Sequence, residues 1–169
     1  MAEQSPGPNR HKQAEFPMTN TIFRIADEAG MMAFGARLAA MLRPGDVIAL
    51  RGSLGSGKTT LTRGLLKALG LEGEAPSPSF AIVQPYDLPE VTLPLAHVDL
   101  YRLDDEADLA ELGLDDYRYD GAVVVEWPER MGDRLWPDAL ILDIAIGEDG
   151  MRRLTATVPP SWKDRWPLP

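Results

Sequence analysis

The chain has no cysteine in its 169 residues, which excludes disulfides and thiolate metal sites and fits a reducing compartment such as the cytoplasm. No apolar run reaches the roughly eighteen residues that a membrane-spanning helix needs, so no membrane role is expected. Asparagine occurs only at Asn9 and Asn20, and neither is followed by lysine. The guanine-recognition motif of regulatory GTPases, Asn/Thr-Lys-x-Asp, is therefore missing. Positive charge is also short, with 17 Lys and Arg against 26 Asp and Glu and a net charge of −9. A protein that grips nucleic acid directly shows a basic face, and here the balance is reversed. The deficit is local. Between Asp87 and Asp120 lie eleven acidic residues against Arg102 and Arg118, and the rest of the chain cancels. That acidic stretch is either a solvated helix face or a docking surface for a basic partner.

What is present centres on Gly52-Ser53-Leu54-Gly55-Ser56-Gly57-Lys58-Thr59, which fits G-x-x-x-x-G-K-[ST] at every fixed position. An apolar run, Asp46 to Arg51, precedes it as a strand. Thr60 to Leu69 follows as a helix, with Leu61, Leu65 and Leu69 on one face. Strand, glycine loop and helix in that order turn a short pattern into a phosphate site. Glycines let the backbone wrap polyphosphate oxygens, and the helix N-terminus adds free N–H groups and a positive dipole end. Lys58 is expected to reach the β- and γ-phosphates and the Thr59 hydroxyl to ligate Mg²⁺. Leu54, Gly55, Ser56, Gly57, Lys58, Thr59 and Thr60 are thus candidate nucleotide-binding residues.

With 44% hydrophobic residues the chain has material for one core. Residues 1–16, with Pro6, Pro8, Arg10, His11 and Lys12, lack the apolar middle of a signal peptide and read as a flexible tail. Residues 17–158 read as the P-loop domain and 159–169 as an irregular tail. Thr21–Ile25 alternates like an edge strand, and Asp27 reads as the cap of a helix to about Leu42, with Met31, Phe34, Leu38 and Met41 on one face. Gly70 stands where a C-terminal cap belongs. Strands are predicted at Phe80–Gln84, Leu93–Asp99 and Ala122–Trp127, a turn at Tyr86–Glu90, an acidic helix at Asp104–Leu112, and a hairpin at Ala139–Ile146 and Arg153–Val158. The fold class is α/β: a three-layer, P-loop NTPase-like domain with a mixed, mainly parallel sheet.

A nucleoside triphosphatase needs an acidic group beside the P-loop to hold Mg²⁺ or orient water. Asp99 and Glu126 qualify, each ending an apolar strand at the edge where open α/β sheets bind ligands. His97 shares the face of Asp99 and is either a partner of that site or a core histidine. Arg102 either stabilises γ-phosphate charge or pairs with Asp104 and Asp105. Ser77-Pro78-Ser79 is either a loop that senses the γ-phosphate, with Ser79 touching the nucleotide, or an ordinary proline turn. Trp127 is core or faces a partner.

Together the P-loop, Ser77-Pro78-Ser79-Phe80, His97-Val98-Asp99-Leu100-Tyr101-Arg102-Leu103, Glu111-Leu112-Gly113-Leu114 and Val125-Glu126-Trp127-Pro128-Glu129 resemble the TsaE (YjeE) family over about Thr21 to Val158. The resemblance implies an ATPase that resets, between rounds, the complex making threonylcarbamoyladenosine at position 37 of tRNA. Its implied partners are the transferase subunit and an inactive paralogue (TsaD and TsaB), with tRNA met only through them. By the same resemblance Lys58, Thr59 and Thr60 bind ATP and Mg²⁺, and Asp99 serves the metal. Ser77 to Phe80 form the switch loop, Glu126 serves hydrolysis or metal binding, and Trp127 lies close by. The family usually has Asp, Ala and Thr where this chain has Ser53, Ser56 and Ser79, so Ser53 is given no catalytic role.

Two other classes compete. A small P-loop kinase would pass the γ-phosphate to a metabolite, but no arginine-bearing lid stands out. A binding module that never hydrolyses would carry the same loop.

Overall fold

β2 (Val47–Arg51) has no polar side chain before Arg51, and Val47 through Leu50 are fully buried. Such a run needs cover on both faces, so it takes the middle of a sheet. The structure, a computed structural model, describes residues 18–166; the expected tail over residues 1–16 lies outside them. Around β2 stand β1 (Thr19–Ile25), β3 (Val83–Tyr86), β4 (Leu95–Asp99), β5 (Ala122–Glu126), β6 (Leu140–Ile146) and β7 (Arg152–Val158). The spatial order is β1-β7-β6-β2-β5-β4-β3. The sheet is mixed: the β6-β2-β5-β4 centre is parallel, and the outer pairings β1-β7, β7-β6 and β4-β3 are antiparallel.

Alternation along the strands divides the core into two. Ile48, Leu50, Val124, Leu140 and Leu142 face α1 (Glu28–Ala39) and α2 (Lys58–Ala68). Val47, Ala49, Val98, Val123 and Val125 face α3 (Glu106–Glu111), α4 (Leu114–Tyr117) and the 3₁₀ segment Pro128–Arg134. Three layers result. α1 starts as expected, with the Asp27 carboxylate accepting the Gly30 N–H at 2.8 Å, and buries Met31, Phe34 and Leu38. α1 and α2 approach closely because two glycines meet them there: a Cβ on Gly35 would overlap the Leu61 carbonyl, and one on Gly64 the Met32 carbonyl. α2 ends at Gly70, whose φ of 103° is the left-handed cap its position calls for.

Besides shifts of a residue or two at element ends and the short helical pieces Leu114–Tyr117 and Pro128–Arg134, which were not expected, two segments differ from the sequence reading. β3 starts at Val83 rather than Phe80, because the proline loop closes with Ile82 N–H donating to the Pro78 carbonyl at 2.7 Å. Ile82 takes φ 64° there, and Phe80 is left 84% exposed. Part of the segment expected to be irregular is helical: Pro160–Arg165 forms a 3₁₀ helix with Trp162 fully buried, and residues 167–169 lie outside the described residues. Arg165 makes a two-pronged pair with Asp46 at 2.6 and 3.0 Å, and Trp166 packs edge-on against Phe23. Tryptophan area and a buried ion pair thus pin this segment to the base of β2, a long-range pairing that local composition does not signal. Among the described residues no helix is long and apolar enough to cross a membrane.

Candidate functional site

Because β2, β4 and β5 run parallel, their C-terminal ends meet at one edge of the sheet, where the loop after β2 turns into α2. The turn has local causes. Gly52 adopts φ 149°, and a Cβ there would collide with the Ile144 carbonyl and the Ser56 hydroxyl. Gly57 caps α2 at φ 114°, a left-handed geometry that a side chain disfavours. The loop is also held from behind. Arg152, on β7, donates from Nε to the Ser56 carbonyl at 3.0 Å and from Nη2 to the Gly55 carbonyl at 3.2 Å.

One open cleft of about 230 Å³ collects the phosphate-loop residues with Asp99, Glu126 and Ser79, while His97 lies behind Glu126 and does not line it. Its floor is the loop and the first turn of α2, from Leu54 through Thr60. Its walls are Asp99, Glu126 and Ser79, joined by Ser77, Tyr101 and Trp127. Lys58 donates to the Gly52 and Ser53 carbonyls at 2.6 and 2.9 Å, and its ammonium lies 4.4 Å from the Trp127 ring centroid. Burial pushes the Lys58 ammonium below its usual range, while the carboxylates of Glu126, Asp99 and Glu129 oppose that drop.

The two carboxylates are neighbours across the β4-β5 ladder, with Asp99 in register with Glu126. Their bonding differs. The Thr59 hydroxyl donates to Glu126 Oε1 at 2.9 Å, and the His97 Nε2 lies 3.1 Å from the same oxygen. Asp99 accepts the Tyr101 N–H at 3.0 Å. Burial pushes the Asp99 carboxyl above the usual carboxylate range; the Tyr101 bond, His97 and Lys58 oppose this, and Glu126 adds to it. Burial therefore sets the direction for both groups, cation and carboxylate.

His97 is both of the things its position allowed, a fully buried side chain and a partner of Glu126. Arg102 does not enter the cleft and pairs with neither Asp104 nor Asp105; its guanidinium sits 4.3 Å over the Phe80 ring. Ser77 and Ser79 hydroxyls bond each other at 2.8 Å. Trp127 is half-buried with its ring 5.0 Å from that of Tyr101. Arg152 was not foreseeable, since no motif marks a strand arginine ninety-odd residues beyond the loop it braces. A second recess on the far side of the loop is formed by Asp27, Met31, Gly150 and Arg152 and shares Gly55 to Gly57 and Thr60 with the first.

A hydroxyl and two carboxylates are hard oxygen donors, the set Mg²⁺ prefers. No group of three or more His, Cys, Asp or Glu among the described residues makes an all-protein metal cage. A sparse oxygen set beside a phosphate loop fits Mg²⁺, which usually shares its shell with substrate phosphates and water. The Ser56 hydroxyl, buried in the loop without a partner, adds a polar atom facing the same turn.

Comparison with known proteins agrees with this geometry. Residues 25–154 match the family model described as threonylcarbamoyl adenosine biosynthesis protein TsaE. A Streptomyces coelicolor protein named tRNA threonylcarbamoyladenosine biosynthesis protein TsaE is 44% identical over 132 residues, covering 75% of this chain and 89% of the relative. A Bacillus subtilis protein of the same name is 40% identical over 136 residues, covering 80% and 84%. The crystal structure of Bacillus subtilis YdiB superposes with a TM-score of 0.75 at 30% identity, over 89% of this chain and 93% of that one. With its phosphate loop, paired strand-end carboxylates and these matches, the chain belongs to the TsaE family.

Proposed function

We propose that this chain is a Mg²⁺-dependent P-loop ATPase that acts as accessory and reset factor of the complex making threonylcarbamoyladenosine at position 37 of tRNA. The observation that carries the ATPase half is the hydrogen bond from Thr59 to Glu126, 2.9 Å long, directly behind the phosphate loop. It links the hydroxyl expected at the metal to a carboxylate that is 2% exposed. The names of the relatives carry the tRNA half.

In this reading the main-chain N–H groups from Leu54 to Thr60 and the Lys58 ammonium hold the β- and γ-phosphates. Lys58 exchanges its bonds to the Gly52 and Ser53 carbonyls for phosphate oxygens. Thr59 and Glu126 would hold Mg²⁺ or its waters, with Asp99 beside them, and the ion would supply charge neutralisation at the phosphate oxygens. The water oxygen bonds to the γ-phosphorus, the electron pair of the broken bond leaves with ADP, and Asp99, raised by burial, accepts the water proton. Ser79, on the opposite wall, contacts the γ-phosphate. The nucleoside lies in the recess beside Asp27, Met31 and Arg152, which shares the loop with the phosphate cleft.

The partners are TsaD and TsaB, and the acidic stretch from Asp87 to Asp120 keeps tRNA at one remove. Hydrolysis is slow for the chain alone and faster with TsaD and TsaB. A phosphate-release assay on the full chain, with and without both partners, tests this. Equal rates in the two cases would defeat the reset role, and phosphotransfer to a metabolite would favour a kinase.

A further inference from the structure

β4 reads Leu-Ala-His-Val-Asp, and its first four residues are buried to within a few percent. His97 is the exception in chemistry, a polar ring with no exposure. Its Nε2 lies 3.1 Å from Glu126 Oε1, and its Nδ1 has no hydrogen-bond partner. A carboxylate oxygen serves here as the acceptor, so the 3.1 Å contact calls for the proton on His97 Nε2, the Nε2–H tautomer. Nδ1 is then a buried acceptor with no protein partner, which is unfavourable. A leucine would fill the same place without that cost, so packing does not account for the imidazole.

What the imidazole does is visible at Glu126. Oε1 lies within hydrogen-bond reach of two groups from different elements, the Thr59 hydroxyl on α2 and His97 Nε2 on β4. Thr59 alone is a poor anchor, because its hydroxyl rotates and is the group expected to serve Mg²⁺. The ring is rigid and buried. We infer that His97 is a positioning residue. Its Nε2–H fixes the rotation of the Glu126 carboxylate so that Oε1 stays with Thr59 and Oε2 is presented to the nucleotide side of the cleft. Partners of this kind, bonded to a ligating group rather than to the metal, typically change activity or metal affinity by roughly 10–100-fold when removed.

The kinetic consequence rests on the ATPase reading, but the tautomer does not. The chain has two histidines, His11 and His97, so nitrogen-15 imidazole spectra of the full chain separate them. At about pH 8, above the ordinary imidazole range, His97 is expected as the Nε2–H tautomer with and without nucleotide. An Nδ1–H tautomer overturns the proposal whether or not the protein hydrolyses ATP. In steady-state assays, His97→Leu is expected to lower kcat roughly 10–100-fold with KM for ATP changed less than about threefold. His97→Gln, whose amide can donate to Glu126, is expected to bring kcat back to within about threefold of wild type. Unchanged kcat in His97→Leu, or equal losses in the Leu and Gln variants, overturns the positioning role. Wild-type protein that shows the Nε2–H tautomer but no hydrolysis counts against the ATPase reading instead.

Discussion

The two walls of the nucleotide cleft are built on opposite plans. On the phosphate-loop side every unusual backbone angle falls on a glycine, Gly52, Gly55 and Gly57, and Arg152 clamps the loop from behind. On the carboxylate side the unusual angles fall on Ile82 and Trp127, the only non-glycine residues with positive φ among the described residues. A β-branched residue in that region is strained by about 1–3 kcal/mol. The same side leaves Phe80 exposed under the Arg102 guanidinium and ties Ser77 to Ser79 instead of to the body of the protein. One wall takes its shape from glycine backbone braced by an arginine; the other carries its unusual backbone on side-chain-bearing residues beside an exposed loop.

The comparison breaks first at Lys58. Lys58→Ala is expected to lower hydrolysis by at least roughly 10³-fold, through lost charge compensation on the phosphates, with a native thermal transition. Glu126→Ala should separate the walls: ATP affinity stays within a few-fold of wild type while turnover falls roughly 10²-fold in single-turnover assays. Normal turnover in that variant would make Glu126 structural. Backbone changes sharpen the contrast. Gly52→Ala has to push against the Ile144 carbonyl and is expected to cost about 2–3 kcal/mol in denaturant unfolding. Ile82→Gly loses a half-buried side chain but relieves strain, so its net effect should stay within about 1 kcal/mol. A loss above roughly 2 kcal/mol would show that Ile82 is unstrained.

Asp99 gives the smallest effect on stability, and that effect depends on pH. Burial raises its folded carboxyl above the unfolded value of 3.8, so between those two values the native state holds the extra proton. Stability associated with Asp99 therefore falls as pH rises through that window and stays lower at neutrality. Asp99→Asn should melt higher than wild type near pH 7, with the gap closing as pH falls below 3.8, while its Mg²⁺-dependent turnover drops. Equal melting temperatures at neutral pH would mean that the carboxylate ionises there without penalty.

Much of this was legible in the residues, and for a physical reason. The P-loop, β2, β5 and the α1 face follow from short-range rules, glycine geometry, apolar runs and a capping aspartate, so they could be read directly. Asp99 and Glu126 could be placed at one sheet edge because apolar runs ended in them. Which of the two meets Thr59 could not, since that depends on strand order: β5 lies beside β2, and β4 lies one strand further out. Arg152 and the Asp46–Arg165 pair were hidden for the same reason, being contacts between residues about a hundred apart. The Phe80 strand failed because Phe-Ala-Ile-Val has β propensity, yet the preceding prolines commit Phe80 and Ala81 to a turn.

Calorimetric titration of the full chain with a non-hydrolysable ATP analogue and Mg²⁺ tests the central claim most directly. The account predicts a saturable one-to-one heat for wild type, retained by Glu126→Ala and lost in Lys58→Ala. No heat from wild type, or equal binding by Lys58→Ala, would contradict it.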